Sequence, residues 1–206
     1  MYYTQIVLNP AHRNTIQMLN DVYKQHRFIM SGFKKYSTQK LGRVLYRMEI
    51  PDDGRLAAIV QSVVPPTYEP DLAHSRAIIA IDTKEVLFAG KSEPVFNDGM
   101  AYRFRLRANT VVTRDGKRIG LIHEKALRDW FERRAVGMGV SLHGYDVIDE
   151  GYIRGNKDGK EIMFKIARYE GVLMVRDREK FTETFINGFS HAKGFGCGLI
   201  SLARVQ

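Results

Sequence analysis

A chain of 206 residues with 44% apolar and 27% charged side chains can bury a substantial core, and it is neither disordered, collagenous nor a continuous coiled coil. Lys and Arg number 32 against 23 Asp and Glu, a formal charge of +9, so a polyanionic partner is the first expectation. The single Cys197 excludes an internal disulfide and points to a reducing compartment. With no apolar run near ~20 residues and no signal-peptide pattern from Met1 to Pro10, a cytoplasmic protein without membrane insertion is expected.

Tyr2 to Leu8 is a β-branched and aromatic strand that Asn9-Pro10 stops, because proline lacks an amide proton and restricts the residue before it. From Thr15 to about Met30, Ile16, Leu19, Val22, Tyr23 and Ile29 recur at three- and four-residue steps, which predicts one helix capped by Asn14 or Thr15. Val44, Tyr46, Met48 and Ile50 alternate, Pro51-Asp52-Asp53-Gly54 turns the chain, and Leu56 to Ser62 completes a hairpin. After Pro65-Pro66, the stretch to His74 has room for a short helix, and Arg76 to Asp82 reads as a strand.

The same order returns in the second half. Tyr102 to Val112 is a strand, and Ala126, Leu127, Trp130 and Phe131 stripe a helix over roughly His123 to Ala135. Val140 to Ile153 and Glu161 to Val175 are strands joined across a basic, glycine-rich tip. Asp177 caps a helix bearing Phe181, Phe185 and Ile186, Gly188 ends it, and Leu199 to Val205 is the last strand. The reading is an α+β chain of tandem ferredoxin-like (RRM-like, βαββαβ) domains over residues 1–90 and 91–206. That fold hosts many functions, RNA binding frequent among them.

Helical spacing puts Leu19, Val22, Tyr23, His26 and Met30 on nearly one face, towards the protein, so Tyr23 and His26 are neighbours. Spacing alone favours a packed, hydrogen-bonded core histidine. Lys24, Arg27, Lys34 and Lys35, however, give that face a basic edge able to hold a phosphate beside the imidazole. The run Gly188 to Gly198, with four glycines and Lys193 in eleven residues, reads equally as a phosphate cradle and as a helix cap followed by a tight turn. Arg103, Arg105 and Arg107 alternate with Phe104 and Leu106, so three guanidinium groups share one sheet face as an anion-binding stripe. Arg154, Lys157 and Lys160 make the hairpin tip a basic projection, equally readable as a solvated turn. Arg128, Arg133 and Arg134 add charge to the Trp130 helix. No metal and no cofactor are expected: His123-Glu124 lacks the second histidine of a zinc helix, Asp52-Asp53 lacks partners, and no Walker loop or nucleophile elbow occurs.

Four segments together resemble the CRISPR-associated endoribonuclease CasE family of type I-E systems. They are the opening strand, Tyr23-Lys-Gln-His26-Arg27, Phe104-Arg-Leu-Arg-Ala-Asn109, and Ala192-Lys193-Gly194-Phe-Gly-Cys-Gly-Leu-Ile-Ser-Leu-Ala203. The match runs over nearly the whole chain, and its closing segment is highly specific. Ser190 stands where the family tends to have glycine, and Thr110 where proline often follows the asparagine. The resemblance implies tandem ferredoxin-like domains that bind a CRISPR repeat RNA stem-loop in precursor and mature crRNA. It further implies one cut without a metal, leaving 5′-hydroxyl and 2′,3′-cyclic phosphate ends, and retention of the product with other Cascade subunits. His26 is then the catalytic histidine and Tyr23 its partner. Lys193 and Gly194 match the backbone-contacting loop, while Arg154, Lys157 and Lys160 match the basic hairpin by position. A non-catalytic RNA-binding subunit of a ribonucleoprotein is the competing expectation.

Overall fold

A computed structural model describes residues 1–50, 54–68, 76–86 and 94–205. The Pro51–Asp53 turn, most of the stretch before His74 and the expected boundary near residue 90 lie outside the described residues. The chain divides into two compact units. The first is Met1–Glu93 with Arg154–Ile162 and Gly194–Gly196, and the second is Pro94–Ile153, Met163–Lys193 and Cys197–Gln206. Each has the ferredoxin-like plan.

In the first unit, strand β1 (Tyr2–Leu8) lies between β3 (Ala57–Ser62) and β4 (Ile78–Glu85), antiparallel to both, and β2 (Leu45–Glu49) extends the sheet beyond β3. The apolar residues of one sheet face, Ile6, Leu8, Tyr46, Ala58 and Val60, pack with Phe28 and Ile29 into one core. Full burial of an Ile, Leu, Val or Phe side chain such as these stabilises by about 1.5–3 kcal/mol.

The single helix expected over residues 15–30 is two: α1 (Arg13–Leu19) and α2 (Val22–Ser31), followed by the short α3 (Thr38–Leu41). Asp21, at φ −147° and ψ 105°, leaves the helical region, and its carboxylate accepts from the amides of Tyr23 and Lys24 at 2.9 and 3.2 Å. A short carboxylate satisfies two otherwise unpaired N–H groups at a helix start better than it serves a helix interior, so the chain restarts there although the apolar spacing runs through. The cap of α1 is His12, whose Nδ1 accepts from the Asn14 amide at 3.3 Å, rather than Asn14 or Thr15. The face of α2 that meets the core is Val22, Gln25, Phe28 and Ile29. Tyr23 and His26 lie beside it, half-buried, and Leu19 is exposed.

In the second unit, β5 (Ala101–Asn109) runs antiparallel between β9 (Lys160–Val175) and β10 (Ile200–Arg204), with β8 (Val140–Lys157) flanking β9. Helices α4 (Glu124–Gly137) and α5 (Arg178–Asn187) supply Leu127, Phe131, Phe181 and Phe185 to the core, where the rings of Phe131 and Tyr169 are 4.2 Å apart. Asp177 caps α5 by accepting from the Lys180 amide, and Gly188 ends it at φ +76°. β5 stops at Asn109 rather than at Val112. Thr110 donates its amide to the Lys165 carbonyl, and an inserted hairpin, β6 (Val111–Arg114) and β7 (Lys117–Gly120), follows. That hairpin turns at Asp115-Gly116, both at positive φ, the geometry that closes a two-residue hairpin. No described helix is long and apolar enough to cross a membrane.

Candidate active site

Around His26 three stretches of the first unit converge: helix α2, the tip of the β8–β9 hairpin and Gly194–Gly196. On α2, Tyr23 and His26 are one turn apart with ring centroids separated by 6.3 Å and nearly parallel planes. Phe195 covers the imidazole from another side, centroids 5.8 Å apart. The imidazole hydrogen-bonds to the Gly194 carbonyl, which also accepts from the Tyr46 hydroxyl at 3.2 Å. The ring lies so close that a Cβ added at Gly194 would stand 3.4 Å from His26 Nδ1. Burial pulls the His26 pKa below the ordinary histidine value of 6.5, the Gly194 bond pushes it up, and the ammonium of Lys157 adds to the lowering. The ring is therefore largely neutral at pH 7.

The hairpin tip reaches this place through close backbone contact. Asn156 donates its amide to Asp21 Oδ1 at 3.3 Å, so the carboxylate that caps α2 also holds the tip. Gly155 makes the approach possible: a Cβ there would stand 2.7 Å from Asp21 Oδ1 and 2.9 Å from the Tyr23 amide nitrogen.

A groove of about 480 Å³ runs along α1 and α2. Tyr23 and His26 line it with the cations Lys24, Arg27 and Lys34, and among the described residues no carboxylate lines it. Among the described residues, no three His, Cys, Asp or Glu side chains gather as a metal-binding group. A titratable imidazole beside cations in an open groove can bind a phosphate and move a proton at it.

Of the residues expected from sequence, Tyr23, His26, Arg27, Lys157 and Gly194 thus belong to the first unit. Arg154 and Lys160 are exposed there as well, with Arg154 3.3 Å from Glu161. Gly194 contributes a carbonyl to His26, a different use of the glycine run from an amide cradle. Lys193 belongs to the second unit, as do Arg103, Arg105 and Arg107. The three arginines do share a sheet face, but its charges are mixed. Arg105 pairs with Glu170 at 2.9 Å, Arg107 with Glu150 at 2.5 Å, and Arg168 bridges the same two glutamates. Alternation along one strand reveals a stripe; the compensating acids lie on β9 for Glu170 and on β8, one strand further, for Glu150, 65 and 43 residues away. Arg103 is exposed.

Sequence reading missed Tyr46, Asp21, Gly155 and Phe195. Asp21 carried a usable signal, a capping residue directly before an apolar periodic run. Tyr46 carried none, since in an alternating strand a buried tyrosine reads as core.

Two ferredoxin-like units, one of them carrying an anchored histidine in a cationic groove, define a chain of the class that handles a polyanionic substrate. Residues 1–204 match the family model described as CRISPR associated protein, and the chain belongs to that family. The CRISPR-associated endoribonuclease Cse3 of Thermus thermophilus is 29% identical over 217 residues, covering 98% of this chain and 100% of the relative. The CRISPR system Cascade subunit CasE of Escherichia coli (strain K12) is 31% identical over 136 residues, covering 60% of this chain and 65% of the relative. A solved structure of CRISPR endoribonuclease Cse3 bound to 19 nt RNA has a TM-score of 0.83 at 26% identity, covering 98% of this chain and 100% of that one.

Proposed function

We propose that the chain is a metal-independent endoribonuclease that cuts CRISPR repeat stem-loops in precursor transcripts and holds the product as part of a Cascade complex. The observation that carries this reading is His26, half-buried, hydrogen-bonded to Gly194 and exposed to a groove that, among the described residues, is lined by three cations and no acid. The endoribonuclease name of the Thermus relative, the RNA in the Cse3 structure and the Cascade membership of the Escherichia relative support it.

The chemistry needs little from the protein beyond alignment and proton transfer. The ribose 2′-oxygen attacks the adjacent phosphorus and the bond to the 5′-oxygen breaks, giving a 2′,3′-cyclic phosphate and a 5′-hydroxyl. One proton leaves the 2′-hydroxyl and one is taken up by the departing 5′-oxygen. The nucleophile is already tethered beside its target, so orientation supplies much of the rate. A positioned imidazole supplies typically ~10²- to 10⁴-fold more. Tyr23, stacked on the same ring, orients the ribose or the imidazole. Charge on the phosphoryl oxygens is met by ammonium and guanidinium groups. Lys157 supplies one beside His26, Arg27 another from the groove wall, and Lys193 a third from the residue preceding Gly194. Gripping the rest of the stem-loop falls to Arg154, Lys160 and Arg103, with Arg105 and Arg107 taking part where phosphate displaces their glutamates.

In the decisive experiment, His26→Ala binds a cognate repeat hairpin within a few-fold of the parent and fails to cut it. A hairpin with a single 2′-deoxyribose upstream of the cleavage point binds and stays whole, and EDTA leaves the parent rate unchanged. Undiminished cutting by His26→Ala would remove the histidine from the mechanism, and inhibition by EDTA would remove the metal-free step.

A further inference from the structure

The Gly194 carbonyl has two donors on it, and they come from different depths of the fold. His26 approaches from α2 at the groove wall. Tyr46 approaches from β2, with its ring among the apolar residues Phe28, Ile29 and Val60 and only 1% of its surface exposed. A phenol oxygen in such a place is costly to leave without a partner. Here its bond goes to the one backbone oxygen that also receives the imidazole.

We propose that Tyr46 is a positioning residue for His26: its hydroxyl clamps the Gly194 carbonyl, and the clamped carbonyl fixes which imidazole nitrogen carries the proton and which presents a lone pair to the groove. A carbonyl can only accept, so the nitrogen facing it must be the N–H. The ring nitrogen bonded to Gly194 is therefore the protonated one, and the other is left as the acceptor. Fixing the tautomer through a bond to the far nitrogen is a general device for histidines that must hold one role. The inference rests on the reading of His26 as the proton-transfer group, and its test separates the two.

Several charged or titratable groups surround the ring. Lys157 faces it from the hairpin tip, Tyr23 and Arg27 lie on its own helix, and Lys34 stands further along the groove. None of them is altered by a change confined to the Tyr46 hydroxyl, which removes the bond to the Gly194 carbonyl. Tyr46→Phe keeps the ring in the core and deletes that hydroxyl.

Two measurements on Tyr46→Phe are needed: the ¹⁵N spectrum and titration of the His26 imidazole in the protein without RNA, and the single-turnover cleavage rate with the dissociation constant for the repeat hairpin. The expected result is a mixed tautomer population and a titration midpoint below that of the parent, because a loosened carbonyl supports the imidazole N–H less well. The rate should fall roughly ten- to a hundredfold, the scale of a small misplacement at a reacting centre, with hairpin affinity unchanged. A His26 spectrum and titration identical to the parent's would overturn the clamp, whatever the rate. If instead the tautomer and midpoint shift while cleavage proceeds at the parent rate, the clamp stands and the catalytic reading of His26 falls.

Discussion

At the scale of the residue, His26 is set by opposed influences. Burial lowers its pKa most, the Gly194 carbonyl raises it, and Lys157 lowers it again. A folded-state value below the unfolded value of about 6.5 means that the unfolded chain binds the proton first. The contribution of His26 to stability is therefore complete above pH ~6.5 and is lost as pH falls through the folded value. Lys157→Ala removes one of the two lowering causes, so the His26 midpoint should rise. The acid limb of the cleavage profile should rise by the same amount, because both report one group. Paired NMR titration and rate measurements check this; a midpoint that stays put in Lys157→Ala would detach the hairpin cation from the histidine. The pairing of Tyr23 with His26 was legible from helical spacing. The Tyr46–Gly194 contact was not, because it joins residues 148 apart and no local periodicity reports such a meeting.

At the scale of the element, Asp21 does two jobs with one carboxylate: it starts α2, and it holds the hairpin tip through the Asn156 amide. Loss of a cap costs about 0.5–2 kcal/mol, so Asp21→Ala should lower the free energy of unfolding by roughly that amount in urea titration. It should also loosen the tip, seen as faster amide exchange at Asn156. Gly155→Ala acts at the same contact from the other side. Its Cβ would stand 2.9 Å from the backbone nitrogen of Tyr23 and 2.7 Å from the capping carboxylate, so it should displace the tip and weaken RNA binding, while an alanine at Gly159, where nothing lies within 4 Å of the added atom, meets only the strain of φ +80°. If Gly155→Ala binds RNA as the parent does, the docked tip is not the binding form. The elements themselves were readable in advance to within a few residues, since alternation and three-to-four spacing follow directly from backbone geometry. The break at Asn20-Asp21 was hidden because the apolar rhythm continues across it. Ser190 marks the opposite case, a departure legible in sequence and explained by structure. It sits at φ +61°, a region glycine enters freely, while its hydroxyl accepts from the Asn109 amide at 3.2 Å.

At the scale of the whole molecule, a charge of +9 predicts salt-sensitive binding to RNA, and the ion pairs decide which cations contribute. A cation that neutralises an RNA phosphate adds about 0.7–0.9 to the slope of log affinity against log salt. Lys157 and Lys160 are exposed at the hairpin tip. Among the described residues, Arg154 makes a solvent-exposed pair with Glu161, the kind of contact worth ~0–1 kcal/mol and easily exchanged for phosphate. Arg105 and Arg107 are held by Glu170 and Glu150 in a less exposed ladder that Arg168 shares, and a phosphate must displace a carboxylate to reach them. Replacing Lys157 or Lys160 by alanine should thus lower the salt slope for the repeat hairpin by about one each. Arg105→Ala and Arg107→Ala should lower it by clearly less. Affinity measured between about 50 and 300 mM salt gives the slopes, in the range where the counterion argument applies. Equal losses at the strand arginines and the hairpin lysines would mean that the glutamates yield to RNA at little cost, making the alternating arginines of β5 a full part of the binding surface despite their pairing.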